Sequence, residues 1–162
     1  MAKWRREKSS DNSHRNRRLE AQKLTEVYTE KTQKKMAELL YADLTYKIRG
    51  AVFKVYKKLG ALHKESVYFK ALALEFSRLG LNFEQEVPLK VMYEGTRVGN
   101  YRADFLIEGK IVLEIKATKT LPRAYENQLL YYLTGTGYRL ALLVNFGQPG
   151  RVYIKRWIIG RD

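Results

Sequence analysis

Three ionisable residues, Asp104, Glu114 and Lys116, lie in two neighbouring segments that are otherwise strongly apolar. Glu114 and Lys116 are two residues apart, so a β-strand places both side chains on the same face of a sheet. The two segments are joined by Glu108-Gly109-Lys110, which is typical of a hairpin turn. A three-residue loop here would set Asp104 opposite Glu114, with Cβ atoms roughly 5 Å apart. A two-residue loop would put the two carboxylates on opposite faces.

Two carboxylates at this separation repel each other, so either one of them takes up a proton or a cation binds between them. Oxygen ligands without His or Cys are typical of Mg²⁺ or Mn²⁺ sites. Such an ion lowers the pKa of bound water and neutralises charge on a phosphate, and Lys116 could orient or deprotonate that water or stabilise the developing charge. A lysine base needs a lowered pKa, which we expect from partial burial and the nearby ion. The three residues therefore predict hydrolysis of a phosphodiester bond.

The same residues also have a purely structural interpretation. A Glu-x-Lys pair in a strand is commonly a solvent-facing ion pair that contributes at most about 1 kcal/mol. The apolar neighbours of Glu114 and of Asp104 instead favour strands that are buried on both faces. A buried carboxylate needs a partner or an ion, so this context favours a functional site.

The elements that must position these residues can be predicted from periodicity. Apolar residues at helical spacing predict one helix that begins at Asp43 or Thr45 and ends at Gly60, and a second over about 64–79. A meander of short strands and a crossover helix then predict an α/β fold with a mixed sheet flanked by helices. The predicted elements are strands over 82–87, 89–93, 97–107 and 111–116, a helix over about 123–134, and strands over 138–144 and 151–157.

The composition narrows the classes of partner. The chain has 162 residues, with 31 Lys and Arg, 17 Asp and Glu, and no cysteine. The formal net charge of +14 favours a polyanion, usually nucleic acid. The lack of cysteine excludes disulfides, thiolate metal sites and cysteine nucleophiles, and it fits a cytoplasmic location. The apolar runs are too short to span a membrane, so no membrane is expected as a partner.

The polar and basic start of the chain differs from the rest. We interpret residues 1–42 as a basic N-terminal arm with a helical extension, and residues 43–162 as the domain that carries the chemistry. We expect residues 1–35 to be dispensable, which predicts that a chain starting at Met36 folds.

Asp104, followed after nine residues by Glu114-Ile115-Lys116, matches the D…(D/E)-x-K motif of the PD-(D/E)XK nuclease superfamily. The chain resembles more narrowly the GxxExxY family, a bacterial branch, over about 44–157. One position departs from that family: Leu62 stands where its first glycine is expected, whereas Glu65 and Tyr68 are kept. The other segments that carry the resemblance are Gly60, 101–104, 114–117, 128–133 and 142–147.

The resemblance implies a restriction-endonuclease-like core in the order αβββαβ, with the site on the central hairpin. It implies Mg²⁺ or Mn²⁺ held by Asp104, Glu114 and the carbonyl of Ile115. Glu65 would be a further acidic group near the metal, although a helix-surface acid favoured by the helix dipole is its plainer interpretation. Lys116 would be the catalytic lysine.

The resemblance also implies nucleic-acid contacts. Gln128 and Tyr132, four residues apart on one helix face, would lie near the site and the DNA backbone. Packing of this pair against the sheet is an equally good interpretation. Arg102, Lys119 and Arg123 are further candidates for phosphate contacts, and each could instead be solvated surface.

These observations predict a metal-dependent nuclease whose partner is nucleic acid, most readily DNA, and which could act as a homodimer. Two alternatives stay open. The chain could be a binding module that keeps the nuclease fold without catalysis, or a basic interaction protein whose N-terminal segment contacts RNA or a protein.

Overall fold

A computed structural model describes residues 40–160 continuously, together with residues 18–20, 22–23, 25 and 31. The chain divides into two units, Met1–Leu40 and Tyr41–Asp162, and the first unit is helical at its described residues before Leu40. Most of the predicted arm, and with it the expected dispensability of residues 1–35, lies outside the described residues. In the part that is described, no helix combines the length and the apolar character needed to cross a membrane.

The second unit consists of three helices and one five-stranded sheet. The strands follow the order β1-β2-β3-β4-β5, with β3 and β4 parallel and the other neighbours antiparallel. This mixed sheet with flanking helices confirms the predicted α/β class. In chain order the elements are α1 (Ala42–Leu59), α2 (Glu65–Arg78), β1 (Phe83–Tyr93), β2 (Thr96–Ile107), β3 (Ile111–Lys116), α3 (Arg123–Gly135), β4 (Leu140–Asn145) and β5 (Tyr153–Ile158).

Two predictions about element boundaries are wrong. The segments 82–87 and 89–93 form one strand, because β1 runs through Pro88 at the edge of the sheet, where a missing N–H is tolerated. The first helix begins at Ala42, with Tyr41 as its N-cap residue and no side-chain capping bond. Thr45 is therefore a buried residue inside the helix and does not cap it.

The helices lie on both faces of the sheet. Phe76 of α2 packs edge-on against Phe105 of β2, with ring centroids 5.4 Å apart. On the other face, Leu129 and Leu133 of α3 belong to a buried cluster with Val112 of β3 and Leu143 of β4. Strands β3 and β4 are covered on both sides, which explains why their sequences are almost continuously apolar.

The loop between β2 and β3 sets the register of the site. Phe105 pairs with Leu113 and Ile107 pairs with Ile111, which leaves Glu108, Gly109 and Lys110 as a three-residue loop. Glu108 and Gly109 both have positive φ, and Lys110 N–H donates to Ile107 C=O over 3.0 Å. The three-residue alternative is therefore the one the structure adopts, and it places Asp104 at the level of Glu114.

In the hairpin formed by β1 and β2, the alternation of side chains between the two faces of the sheet is reversed at Asp104. Phe105 packs toward α2, whereas Ala103, two residues earlier, belongs to the cluster under α3. On β1, Phe83 packs against Phe76 of α2, whereas Val87 joins the α3 cluster. Between them Glu86 has a φ of 51°, a left-handed conformation that is uncommon for glutamate. Simple alternation along a strand does not predict this reversal.

Candidate active site

Glu114 is a buried carboxylate with one satisfied and one unsatisfied oxygen. Its residue is 4% exposed. Lys116 Nζ donates to Oε1 over 2.8 Å, on the same face of β3 as predicted. Oε2 is buried and has no hydrogen-bond partner within the described chain. Buried polar atoms are almost always paired, so this oxygen marks a place where a ligand could bind.

Asp104 reaches the same strand from β2. The ladder between β2 and β3 ends at the Phe105–Leu113 pair, one step before Asp104 and Glu114. Beyond that step the backbone N–H of Ile115 donates to Asp104 Oδ2 over 2.6 Å. The carbonyl of Ile115 lies on the same edge of β3 as its N–H, because both groups of one strand residue point to the same side.

The carboxylates and the lysine of the site influence one another. Burial, and then the charge of Asp104, raise the pKa of Glu114 to about 7. Burial also raises the pKa of Asp104, against the opposing effect of the Ile115 N–H. For Lys116, burial acts to lower the pKa, but Glu114, Glu65 and Asp104 together raise it above its ordinary value. Burial thus acts in the expected direction, and the three carboxylates outweigh it; the lowering expected from burial together with a nearby ion stays a prediction.

Glu65 is the first residue of α2 and lies at the end of β3. The backbone N–H of Ala117, directly after Lys116, donates to its carboxylate. Burial raises the pKa of Glu65, and the nearby charge of Lys116 acts in the opposite direction. The structure thus brings Glu65 close to Lys116 and Asp104.

Tyr68 fixes the loop that precedes Glu65. Its hydroxyl donates to Gly60 C=O over 2.7 Å and accepts from His63 N–H over 3.2 Å. Its buried ring stacks on Phe146, with centroids 4.3 Å apart. Leu62, the position that departs from the GxxExxY pattern, is 91% exposed, so its side chain takes no part in this packing.

The donor set fits a hard divalent cation in part. Among the residues that the structure describes, no group of three His, Cys, Asp or Glu side chains is arranged to hold one metal ion. The predicted set of Glu65, Asp104 and Glu114 is therefore not a ready-made three-acid chelate. The unpaired Oε2 of Glu114, the adjacent carboxylate of Asp104 and the carbonyl of Ile115 nevertheless supply the oxygen donors that Mg²⁺ or Mn²⁺ prefer.

Gln128 and Tyr132 share one face of α3, but their environments differ. Gln128 is partly exposed, and its Nε2 donates to the Tyr132 hydroxyl. Tyr132 is only 1% exposed, donates to Arg102 C=O over 3.1 Å, and has a pKa that burial and Glu114 raise. This placement agrees with the packing interpretation of Tyr132 and not with a direct contact to nucleic acid.

The three basic candidates lie at the surface. Arg102 is exposed and forms an ion pair with Glu86 at 3.4 Å. Lys119 is exposed in the loop after β3, and Arg123 is the exposed first residue of α3. All three are accessible to a phosphate backbone.

Several contributing residues were missed by the sequence reasoning. Asn145 is fully buried at the end of β4 and binds the loop after β3. The Tyr125 ring lies 5.2 Å from Lys116 Nζ, and Glu86 adds a charge that raises the pKa of Asp104. For Asn145 a signal exists: it is the single polar residue that ends the apolar segment 140–144.

A family model described as the PD-(D/E)XK nuclease superfamily matches residues 42–157, from the start of α1 into β5. The chain belongs to the PD-(D/E)XK nuclease superfamily. The restriction-endonuclease-like core is thereby confirmed, and the matched range contains Asp104 and Glu114-Ile115-Lys116.

No curated protein is significantly similar to this PD-(D/E)XK chain. A solved structure described as "Crystal structure of SSO0001" is similar, with 24% sequence identity and a TM-score of 0.45. That match covers 60% of this chain and 50% of the other, so this chain spans about half the length of its structural neighbour. The likeness is too partial to carry a conclusion about function.

Proposed function

We propose that this PD-(D/E)XK chain is a metal-dependent nuclease that hydrolyses phosphodiester bonds, with DNA as the expected substrate, and that it belongs to the GxxExxY branch. The observation that carries the proposal is the environment of Glu114, which is buried beside Asp104 with one oxygen unpaired. A buried acid with a purely structural role has both oxygens satisfied, because an unpaired one costs about 1–3 kcal/mol. The free-energy cost of leaving Glu114 Oε2 unpaired is explained if this oxygen is a ligand of a metal ion.

The residues that would hold Mg²⁺ or Mn²⁺ are Asp104, Glu114 and, through its carbonyl, Ile115, with Glu65 nearby. When bound, the ion would neutralise charge on the scissile phosphate and lower the pKa of the attacking water. Asp104 also accepts a hydrogen bond from the Ile115 N–H, which supports a fixed separation of β2 and β3, the two strands that carry the acids.

Lys116 supplies a positive charge at a defined atom. Its Nζ is 2.8 Å from Glu114 Oε1, and the charges of Glu114, Glu65 and Asp104 raise its pKa against the opposing effect of burial. A fixed ammonium stabilises negative charge that develops on a phosphate in the transition state. This supports charge stabilisation and orientation of water as roles of Lys116.

Binding would be dominated by the phosphate backbone. The net charge of +14 and the exposure of Arg102, Lys119 and Arg123 support contacts that do not read sequence. Gln128, partly exposed on α3, is the member of the Gln128–Tyr132 pair that we propose for a contact near the scissile phosphate. A homodimer and a cytoplasmic location stay predictions from the sequence.

A second candidate function is a non-catalytic nucleic-acid-binding module. The observation that favours it is the ion pair of Lys116 with Glu114, which partly neutralises the acid without any metal. Calorimetry with MgCl₂ separates the two functions, because a pure binding module has no need of a divalent cation at this carboxylate pair.

The test of the nuclease is a panel of labelled single-stranded DNA, duplex DNA, branched DNA and RNA. Each is incubated with the chain in Mg²⁺, in Mn²⁺ or in a chelator. Lys116→Ala is the active-site variant. Lys110→Ala is the matched control, because Lys110 is an exposed lysine at the opposite end of β3, about 20 Å away at 3.3 Å per strand residue.

We expect cleavage in Mg²⁺ or Mn²⁺ and none in the chelator. Lys116→Ala should reduce the cleavage rate by roughly 10²–10⁴-fold while DNA binding persists, and Lys110→Ala should cleave at the normal rate. No cleavage of any substrate, or full activity of Lys116→Ala, would overturn the proposal.

A further inference from the structure

The backbone just after Lys116 is held by the side chain of Asn145. Asn145 is fully buried at the end of β4, where it pairs in register with Lys116. Its Nδ2 donates to Thr118 C=O over 2.8 Å, and its Oδ1 accepts from Thr118 N–H over 3.0 Å. The carboxamide therefore pairs with Thr118 as a further strand residue would, and it prolongs the β3–β4 ladder beyond the last paired residue.

The two residues that follow Asn145 complete this attachment. Phe146 N–H donates to Lys116 C=O over 2.8 Å, and Gly147 N–H donates to Asn145 Oδ1 over 3.1 Å. A Cβ on Gly147 would lie 2.3 Å from Thr118 N and 2.5 Å from the carbonyl carbon of Ala117. The loop can approach this closely only because position 147 carries no side chain.

The held segment contains two groups of the candidate site. It begins at Lys116, whose side chain pairs with Glu114, and continues through Ala117, whose N–H binds the Glu65 carboxylate. Thr118, which forms two hydrogen bonds with Asn145, is the next residue. A displacement of this backbone would therefore move the Lys116 ammonium and release Glu65 together.

We propose that Asn145 and Gly147 form a clamp that positions Lys116 and Glu65 for the metal-dependent reaction. This inference rests on the proposed nuclease function and goes beyond it, because neither residue touches the reacting atoms. Asn145 is a positioning residue that acts through the Lys116–Thr118 backbone. An apolar residue would continue the buried strand β4 equally well, so the amide is explained by what it holds.

The test compares Asn145→Ala with Leu142→Ala, which lies on the same buried strand and makes no contact of the clamp. Gly147→Ala is a second route to the same displacement, since its Cβ would push against Thr118. Asn145→Ser is a milder change whose hydroxyl is too short to bind both groups of Thr118, and it replaces Asn145→Ala in every measurement if the alanine variant does not fold.

Three quantities are measured in the folded variants: the hydrogen-exchange rates of the Ala117 and Thr118 amides, the Kd for Mg²⁺ by calorimetry, and kcat and KM for DNA cleavage. For Asn145→Ala we expect exchange at these amides at least tenfold faster and an Mg²⁺ Kd raised about 10–100-fold, as for other residues that orient metal ligands. We expect kcat to fall about as much, with KM unchanged. Leu142→Ala should lower Tm but leave the Mg²⁺ Kd and kcat at the levels of the unmodified chain.

Failure of the clamp is distinguishable from failure of the nuclease proposal. Unchanged exchange and Mg²⁺ affinity in Asn145→Ala, or losses matched by Leu142→Ala, would overturn the clamp even if the unmodified chain cleaves DNA. If the unmodified chain binds Mg²⁺ but cleaves nothing, the nuclease proposal fails, and the exchange rates and Kd values still decide the clamp. If it binds no Mg²⁺, exchange at Ala117 and Thr118 decides alone whether the clamp holds this backbone.

Discussion

Among the residues that the structure describes, two glutamates are buried, and their environments are opposite in kind. Glu75 of α2 is 8% exposed, and each of its oxygens accepts an ion-paired hydrogen bond: Oε2 from Lys54 at 2.7 Å and Oε1 from Arg78 at 2.6 Å. Glu114 of β3 is 4% exposed, has one such partner, and stands next to another acid. The bond from Lys54 is the main cause that lowers the pKa of Glu75, whereas burial and Asp104 raise that of Glu114 to about 7.

This difference separates an acid that stabilises the fold from the one that we propose for the chemistry. Both carboxylate oxygens of Glu75 are paired with cations, Lys54 and Arg78, whose side chains are largely exposed. The negative charge of Glu75 is therefore neutralised within the fold. Glu114 is buried with one carboxylate oxygen that has no hydrogen-bond partner, and burying an unpaired polar atom costs free energy. Burial alone would not have distinguished the two residues, because they are nearly equally buried.

The largest effect should come from Glu114→Gln. Loss of the carboxylate would remove a proposed metal oxygen ligand, so the cleavage rate should fall by on the order of 10³-fold. The rise in Tm that we expect Mg²⁺ to produce in the unmodified chain should also disappear. Cleavage assays and thermal melts with and without Mg²⁺ measure these changes. If Glu114→Gln cleaved at the normal rate, the distinction between the two glutamates would fail.

The same substitution at the other acid should have the opposite result. Glu75→Gln keeps the shape of the side chain but loses its charge beside Lys54 and Arg78, so the free energy of unfolding should fall by about 1–2 kcal/mol. The cleavage rate should be unchanged at temperatures where the variant is folded. Urea denaturation measures the stability, and a loss of activity without a loss of stability would contradict the structural role of Glu75.

The two acids should also give opposite pH dependences of stability. Because the pKa of Glu75 is lowered, its stabilisation is present above the ordinary value of 4.5 and is lost as the pH falls through the lower folded value. Because the pKa of Glu114 is raised, its ionisation costs stability as the pH rises from about 4.5 to 7.

Urea denaturation in a chelator, from pH 3 to 8, measures both effects. The deficit of Glu75→Gln relative to the unmodified chain should shrink toward the acidic end. Glu114→Gln should gain relative stability toward pH 7 and above. Parallel curves for the two variants would show that their environments are not opposite.

The smallest expected effect is that of Tyr132→Phe, which removes a buried hydroxyl from the same side of the sheet as Glu114. Loss of its bond to Arg102 C=O should lower the free energy of unfolding by about 1 kcal/mol and leave the affinity for DNA unchanged. Denaturation and DNA titrations test this directly. A weaker affinity for DNA would restore the direct contact that the sequence suggested for Tyr132.

The parts of the site that the sequence could predict are those set by local chemistry. Glu114 and Lys116 share a face because strands alternate. The sequence left two loop lengths open, and the structure decides for the three-residue loop in which Glu108 and Gly109 have positive φ. The resemblance to the GxxExxY family added Glu65, which belongs to an element 39 residues before Asp104 in the sequence.

The parts that could not be predicted depend on contacts between distant elements. Pro88 is tolerated inside β1 only because β1 lies at the sheet edge, and strand order is not visible in a local pattern. The reversal at Asp104 and Glu86 depends on which helix covers each end of the hairpin. The direction of the Lys116 pKa shift depends on three carboxylates that approach from two strands and a helix.

Strand β3 is attached unequally to its two neighbours. Three residue pairs join it to β2, whereas six join it to β4. Lys116 and Glu114 therefore lie on a strand that is paired along its full length with β4. Asp104 lies on β2, just beyond the short segment in which β2 pairs with β3. We therefore expect substitutions in the hairpin of β1 and β2 to shift Asp104 relative to Glu114 more readily than substitutions in β4, because fewer residue pairs join β2 to β3.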